Sequence, residues 1–341
     1  MHFHHHTAFE DIKHLRDDWD HLLQKSASHV PFLTFDYQQA WWSTHGGGEW
    51  PESSQLVLIT ANDGDQFVGA APLFFSKNIL GKPALMLVGA IEVSDFLDLI
   101  APPEILPDFI HGLLDFLTTS KDIPQWEVLD LYNILEDSPT LDILQQEAEI
   151  RQWTYQQKPL QPSPYIPLPD DFDAYLAGID KKQRHEIRRK LRNVTQSLAE
   201  GSLYITEDPG QLESDVNTFI NMMEQDPNKR AFLTDAMREH LHRTAQTAFE
   251  GGWLNLAFFT LDGNKAAANF SFLFNNRLWL YNSAWEWDYR EFSPGWVLLA
   301  YLIEWAINNQ LDEFDFMRGD EPYKYKFGGI DRRIVRATLT P

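Results

Sequence analysis

Hydrophobic and polar positions alternate with two different periods along the chain, and the stretch from Leu278 to Gly329 shows both. Leu278, Leu280 and Asn282 alternate with Trp279, Tyr281 and Ser283, the period of two that a β-strand imposes. Past Ser293-Pro294 the period changes. Leu298, Leu302 and Trp305 recur three or four apart, flanked by Leu299, Ile303 and Ala306, which predicts a helix with a broad buried face. Ser suits the N-cap and Pro the first helical position. Glu313 to Phe316 then reads as a short strand, so the stretch forms a β–α–β unit. The helix start is a candidate anion site, with the N–H groups of Gly295, Trp296 and Val297 expected to face the ligand; Ser293-Pro294-Gly295 is equally readable as a plain helix start.

The same reading extends along the chain. Phe9 to Gln24 and Thr34 to Thr44 predict helices, and the strands from Leu56 and Phe67 flank the turn Asn62-Asp63-Gly64. A strand is expected at Ala84 to Val88, a helix at Pro107 to Leu117 and a strand at Trp126 to Leu131. Residues 158–170 carry five prolines in thirteen positions and read as an extended crossing segment. Phe172 to Leu198, Leu212 to Glu224 and Thr234 to Phe249 predict helices, followed by a meander of strands from Leu254, Ala268 and Leu278. A last strand is expected at Ile334 to Leu339. The hairpin from Leu56 and the hairpin from Leu256 share a layout: a strand ending in Thr, an Asp-Gly turn, small residues, then Phe. With a helix-then-strand pair after each, this predicts an α/β protein of two similar domains, residues 1–160 and 161–341.

One run of residues goes further: Tyr281-Asn282, Ser293-Pro294-Gly295, the segment from Asp315 through Arg318-Gly319-Asp320-Glu321-Pro322-Tyr323-Lys324, and Phe327-Gly328-Gly329. It resembles the GNAT-type acyltransferases, in particular the CelD/BcsL-like branch associated with cellulose biosynthesis. It is also similar to the Fem-type aminoacyltransferases, whose Phe-Lys-x-x-Phe-Gly-Gly segment parallels Tyr323 to Gly329. The resemblance covers most of the chain. It implies two tandem GNAT-like domains, each a mixed sheet flanked by helices, and acyl-CoA (acetyl-CoA first) as co-substrate with no metal.

Composition narrows the classes of partner. The formal charge of −22 argues against nucleic acid, whose phosphates call for a cationic surface. Charge is uneven: residues 1–160 hold 8 Lys/Arg against 24 Asp/Glu, leaving 20 against 26 for the remainder. Cysteine is absent, which excludes thiolate catalysis and cysteine-based metal sites but not direct acyl transfer. The histidines among residues 2–6 could bind a metal, though a ragged, solvated end is the plainer expectation. No apolar run approaches a membrane span and no leader is evident, so the expected location is cytoplasmic.

Acyl transfer requires a polarised carbonyl, a deprotonated acceptor and a stabilised leaving group. Strand amides near Tyr281 to Ala284 suit the first. Asp315, Asp320 and Glu321 are candidate bases, each equally readable as a surface charge or an ion-pair partner of Arg318. Tyr281 and Tyr323 could protonate a leaving thiolate, or be structural. Lys324 aligns with the Lys of the Fem motif, which implies a catalytic or anion-stabilising role; Lys324→Met is then expected to lower turnover at nearly unchanged melting temperature. Ser293, Gly295, Trp296, Val297 and Arg290 form the expected donor site, with Asn269, Asn282, Arg318, Tyr323 and Arg188 on the acceptor side. Arg188 belongs to a basic helix, Lys181 to Arg192, carrying seven cations outside a stripe of Ile187, Leu191, Val194 and Leu198. That helix is either a solvated face or a phosphate attractor.

The expected function is transfer of an acyl group to an amine or hydroxyl on a small molecule, or on a saccharide, peptide or cell-envelope precursor. Two alternatives stand: an aminoacyl-tRNA-dependent peptidyltransferase of Fem type, or a non-catalytic binding protein retaining the fold.

Overall fold

In a computed structural model, which describes residues 1–196 and 200–341, the chain divides into two compact units. The first comprises Met1–Gln161 with Arg333–Pro341, the second Pro162–Arg332. Leu198, expected in the stripe of the basic helix, lies outside the described residues.

The first unit contains β1 (His2–His6), α1 (Arg16–Leu23), α2 (Phe35–Ser43), the single turn α3 (His45–Gly48), β2 (Gln55–Asp63), β3 (Gln66–Lys77), β4 (Pro83–Leu87), α4 (Leu106–Thr119), β5 (Val128–Leu135), α5 (Pro139–Arg151) and the first half of β6 (Thr154–Pro167). Its strand order is β1-β2-β3-β4-β5, then the C-terminal part of β12 (Ile330–Thr340), with the first half of β6 alongside. β4 and β5 pair in parallel, joined by the crossover through α4. The small residues entering β3 have a steric reason: a Cβ on Gly69 would stand 2.4 Å from the Phe109 ring of α4.

The second unit repeats this plan with the second half of β6, α6 (Phe172–Gly178), α7 (Lys181–Thr195), β7 (Gly201–Ile205), α8 (Pro209–Met223), α9 (Pro227–Phe232), α10 (Asp235–Glu250), β8 (Leu254–Leu261), β9 (Asn264–Phe274), β10 (Arg277–Trp285), α11 (Pro294–Asn308), β11 (Glu313–Asp315) and α12 (Pro322–Lys326). Its order is β6-β11-β10-β9-β8-β7, and β10 and β11 are its parallel pair, connected through α11. Val297, Leu298, Leu302 and Ile303 of α11 pack with Ala257, Phe259 and Leu280 of the strands as one buried cluster.

Two expectations are corrected. Ile334 to Leu339 is a strand, but it belongs to the first unit, antiparallel to β5 with Thr338 opposite Asp130 and Leu339 opposite Leu129. Alternation shows that a segment is a strand; the partner is chosen by distant residues and leaves no local mark. The N-terminus is not ragged: residues 2–6 pair with β2, His4 opposite Thr60, and His6 Nε2 lies 2.9 Å from Thr60 Oγ1. An edge strand bonds one neighbour only, so it tolerates a polar run that a central strand would not.

Candidate functional site

β10 and β11 stay together for three residues, Arg277 to Trp279 against Glu313 to Asp315, and then part. Local chemistry separates them on both sides. On one, the register of β10 against β9 shifts between Leu280 and Asn282, a bulge at Tyr281. On the other, Met317 takes a left-handed φ of 57° with its amide on Asp315 Oδ1, 2.6 Å away. Phe316 N then donates to Pro164 O and Gly319 N to Pro162 O, both at 2.9 Å, so the chain beyond β11 follows β6. On the β10 side, Ser283, Ala284 and Trp285, the start of α11 and Tyr323 line a cavity of about 220 Å³.

Four residues expected at a site line this cavity: Asn269, Gly295, Trp296 and Tyr323. Asn269 is buried in β9 opposite Ser283. At Gly295 an added Cβ would come no closer than 3.9 Å, to Trp285, so the absent side chain leaves the entrance open. Burial raises the pKa of the Tyr323 phenol well above the ordinary tyrosine range, and the Glu321 charge adds to this, so Tyr323 holds its proton at neutral pH.

The helix start differs from expectation. Ser293 is the N-cap in left-handed conformation, and its carbonyl accepts from Trp296 N at 3.0 Å and Val297 N at 3.2 Å. Of the three amides expected to face an anion, two are thus occupied, leaving Gly295; Val297 is in the core. Side chains supply positive charge instead. Lys190 of α7 donates to Ser293 Oγ at 2.7 Å and lies 4.9 Å from the Trp296 ring centroid, with Lys326 at 5.9 Å. Among the seven cations of the basic helix, Lys190 therefore comes to the start of α11. Arg188 pairs instead with Asp173 at 3.3 Å, and Arg290 is exposed, reaching Trp287 O at 3.4 Å.

Several expected residues lie outside the cavity wall. Lys324 is only 2% exposed, and its ammonium donates to the carbonyls of Met317, Arg318 and Gly319 at 3.1, 2.6 and 3.2 Å and pairs with Glu321 at 2.9 Å. Lys324 thus fastens the loop after β11, and its charge is consumed there. Asp315 is fully buried and ion-paired with Arg332, which also meets Glu313 at 2.9 Å, so it is engaged structurally and not poised as a base. Tyr281 packs on the rings of Phe270 and Phe272, at 5.9 and 5.3 Å. Glu321 and Asp320 are exposed, and the Arg318 carbonyl is taken up by Lys324.

Lys229 gave no signal in the sequence. It sits in the short α9, between two predicted helices, and its ammonium donates to Asn282 Oδ1 at 2.9 Å and to the Ser283 carbonyl. Desolvation lowers its pKa, against the opposing charges of Asp226 and Glu321. Asn282, expected to touch substrate, is thereby tied down: the same Oδ1 also accepts the Ser283 amide at 2.9 Å. Trp285, which lines the cavity, stacks on Trp287 with centroids 5.9 Å apart and planes 10° from parallel, and the two stay 40% and 50% exposed. Among the described residues, no group of three His, Cys, Asp or Glu side chains could hold a metal, and no helix is long and apolar enough to cross a membrane.

The sequence model of the acetyltransferase (GNAT) domain family matches residues 181–325. Solved structures with the same fold include FemX, 10% identical, TM-score 0.67, covering 99% of this chain and 97% of that one. L-PGS from Bacillus licheniformis aligns at 10% identity and TM-score 0.57, over 94% of this chain and 90% of its own. A tandem GNAT protein from the clavulanic acid biosynthesis pathway aligns at 13% and 0.50, over 98% and 97%. No curated protein matches by sequence. Residues 181–325 of the second unit are thus similar to the GNAT acetyltransferase domain, and the chain has the mixed α/β architecture of two GNAT-like domains.

Proposed function

We propose that the GNAT domain of the second unit transfers an acyl group, acetyl first, from an acyl-CoA thioester to an amine or hydroxyl. The observation that carries this reading is the cavity lined by β9, β10 and the start of α11, with a protonated Tyr323 in its wall and two ammonium groups beside the start of α11. The site fits such a donor: Lys326 suits its phosphates, beside Lys190, which is shared with Glu186 at 3.6 Å, and the missing side chain at Gly295 admits a narrow chain.

When bound, the donor supplies a thioester carbonyl and a thiolate leaving group. Tyr323 keeps its phenolic proton at neutral pH and can give it to that thiolate. Asn269, buried in the cavity wall, can orient the acyl carbonyl or the acceptor by hydrogen bonding. Lys229 fixes Asn282 and Ser283, so the wall keeps its shape as ligands pass. Glu321 is ion-paired with Lys324 but exposed, and its charge acts on both Lys229 and Tyr323; we assign it the role of accepting the acceptor's proton.

For the acceptor we favour a saccharide or cell-envelope precursor met in the cytoplasm, in keeping with the resemblance to the CelD/BcsL-like branch. The exposed indoles of Trp285, in the cavity wall, and of Trp287 stacked on it suit the apolar face of a sugar ring. The test is thiol release from acetyl-CoA in the presence of amino sugars and sugar alcohols, followed with a thiol-reactive dye. A chain without cysteine contributes no background. Acceptor-dependent release supports the reading; its absence across acyl-CoAs and acceptors, with aminoacyl-tRNA active instead, favours the peptidyltransferase alternative.

A further inference from the structure

The first unit contains a pocket that the acyl-transfer reading does not use. This unit is strongly acidic: it holds the 24 Asp/Glu counted before residue 161 and ten Lys/Arg, the eight counted there plus Arg333 and Arg336. Yet Lys82, Lys158 and Arg336 all line a single cavity of about 140 Å³, and no carboxylate appears among its described lining residues. With ten Lys/Arg in the whole unit, ten lining positions would hold fewer than one by chance, and this cavity has three.

The strands explain the convergence. Arg336, Thr338 and Thr340 alternate along β12, and Thr154, Gln156 and Lys158 along the adjacent first half of β6, so each set lies on one face of its strand. Lys82 comes from the β3–β4 turn, which is held rigidly: Asn78 Oδ1 accepts the amides of Leu80 and Lys82 at 3.0 and 3.1 Å. Beneath, the fully buried Asp130 takes Nε and Nη2 of Arg336 and Nδ2 of Asn78, each at 2.7 Å. That bidentate pair uses one edge of the guanidinium and cancels its charge, leaving the two lysines as the net charge of the pocket. Hydroxyls of three threonines and the Gln156 amide add neutral donors.

We infer that this pocket binds a phosphate-type oxyanion, as the free ion or as a monoester. At about 140 Å³ the cavity has room for a phosphoryl group together with water. The site stands apart from the acyl-transfer reading and does not depend on it.

The test is calorimetric titration of inorganic phosphate into the full chain at constant ionic strength, with chloride as control, comparing wild type with Lys82→Gln/Lys158→Gln. Both lysines are exposed, so the double variant should fold with an unchanged melting temperature. Arg336 is left intact because removing it would strand Asp130. Phosphate, unlike chloride, should bind wild type, and the double variant at least about tenfold more weakly, the loss of one charge-assisted hydrogen bond. Phenyl phosphate in place of phosphate then identifies the monoester if it binds more tightly, or the free ion if it binds less. Equal phosphate affinity in wild type and double variant, or no preference over chloride, overturns the inference. Phosphate held at the start of α11 would persist in the double variant, so the two sites are separable.

Discussion

Lys229 Nζ lies 2.9 Å from Oδ1 of Asn282, and through this contact a short helix grips the bulged strand that opens the cavity. The same ammonium donates to the Ser283 carbonyl, so removing it leaves a part-buried acceptor without its partner. Lys229→Met should cost about 1–3 kcal/mol of stability and loosen the cavity wall. Donor affinity should fall by roughly tenfold, the equivalent of 1.4 kcal/mol. Calorimetry on the folded variant checks this; unchanged affinity would mean that the wall keeps its shape without Lys229.

Tyr323→Phe separates chemistry from binding. Burial holds the Tyr323 pKa above its ordinary value, so its proton is present throughout the neutral range and is lost only at strongly alkaline pH. The variant should bind acetyl-CoA normally while turnover drops by about 10²–10⁴, the range for a general acid. A variant with wild-type turnover would reduce Tyr323 to a wall residue.

Lys324→Met reverses the expectation drawn from the sequence. The side chain satisfies three carbonyls in a buried loop, so its loss should destabilise the second unit by roughly 3 kcal/mol and lower its melting temperature by about 10 °C. A thermal melt decides the matter. An unchanged midpoint with much reduced turnover would restore the catalytic role.

These cases show where sequence legibility ended. The strands and helices of the Leu278 to Phe316 stretch were readable because periodicity and the Ser-Pro start are local properties. The neighbour of Ile334 to Leu339 was not, since β5 lies about 200 residues earlier in the chain. Lys324 was visible as a motif residue, but whether its ammonium faces a ligand or three carbonyls depends on the left-handed turn at Met317. Lys229 was silent because a single Lys on a six-residue helix carries no pattern. Trp296 and Val297 were expected to offer amides, and the left-handed N-cap Ser293 occupies both.

His240 supplies a pH dependence. It is fully buried in α10, and burial depresses its pKa to about 4. The unfolded chain titrates near 6.5, so the stabilisation is fully present above that pH and is lost as pH falls toward 4, where the unfolded state binds the extra proton. Between pH 7 and 4.5 His240 should account for about 2.5 kcal/mol of lost stability. Urea unfolding of wild type and His240→Gln at both pH values measures it. Equal losses in the two proteins would show that His240 protonates without cost in the folded state.

The central claim, that the acyl donor enters the cavity beside β10 past Gly295, is tested most directly by titrating acetyl-CoA into wild type and Gly295→Val. Gly295 has no left-handed φ, and its nearest neighbour stands 3.9 Å from an added Cβ, so valine should be accommodated with the fold intact while its methyls narrow the entrance. Wild type should bind one equivalent, and the variant at least about tenfold more weakly, 1.4 kcal/mol, with an unchanged melting temperature. Equal affinity in the two proteins, or no binding by wild type, would contradict the account.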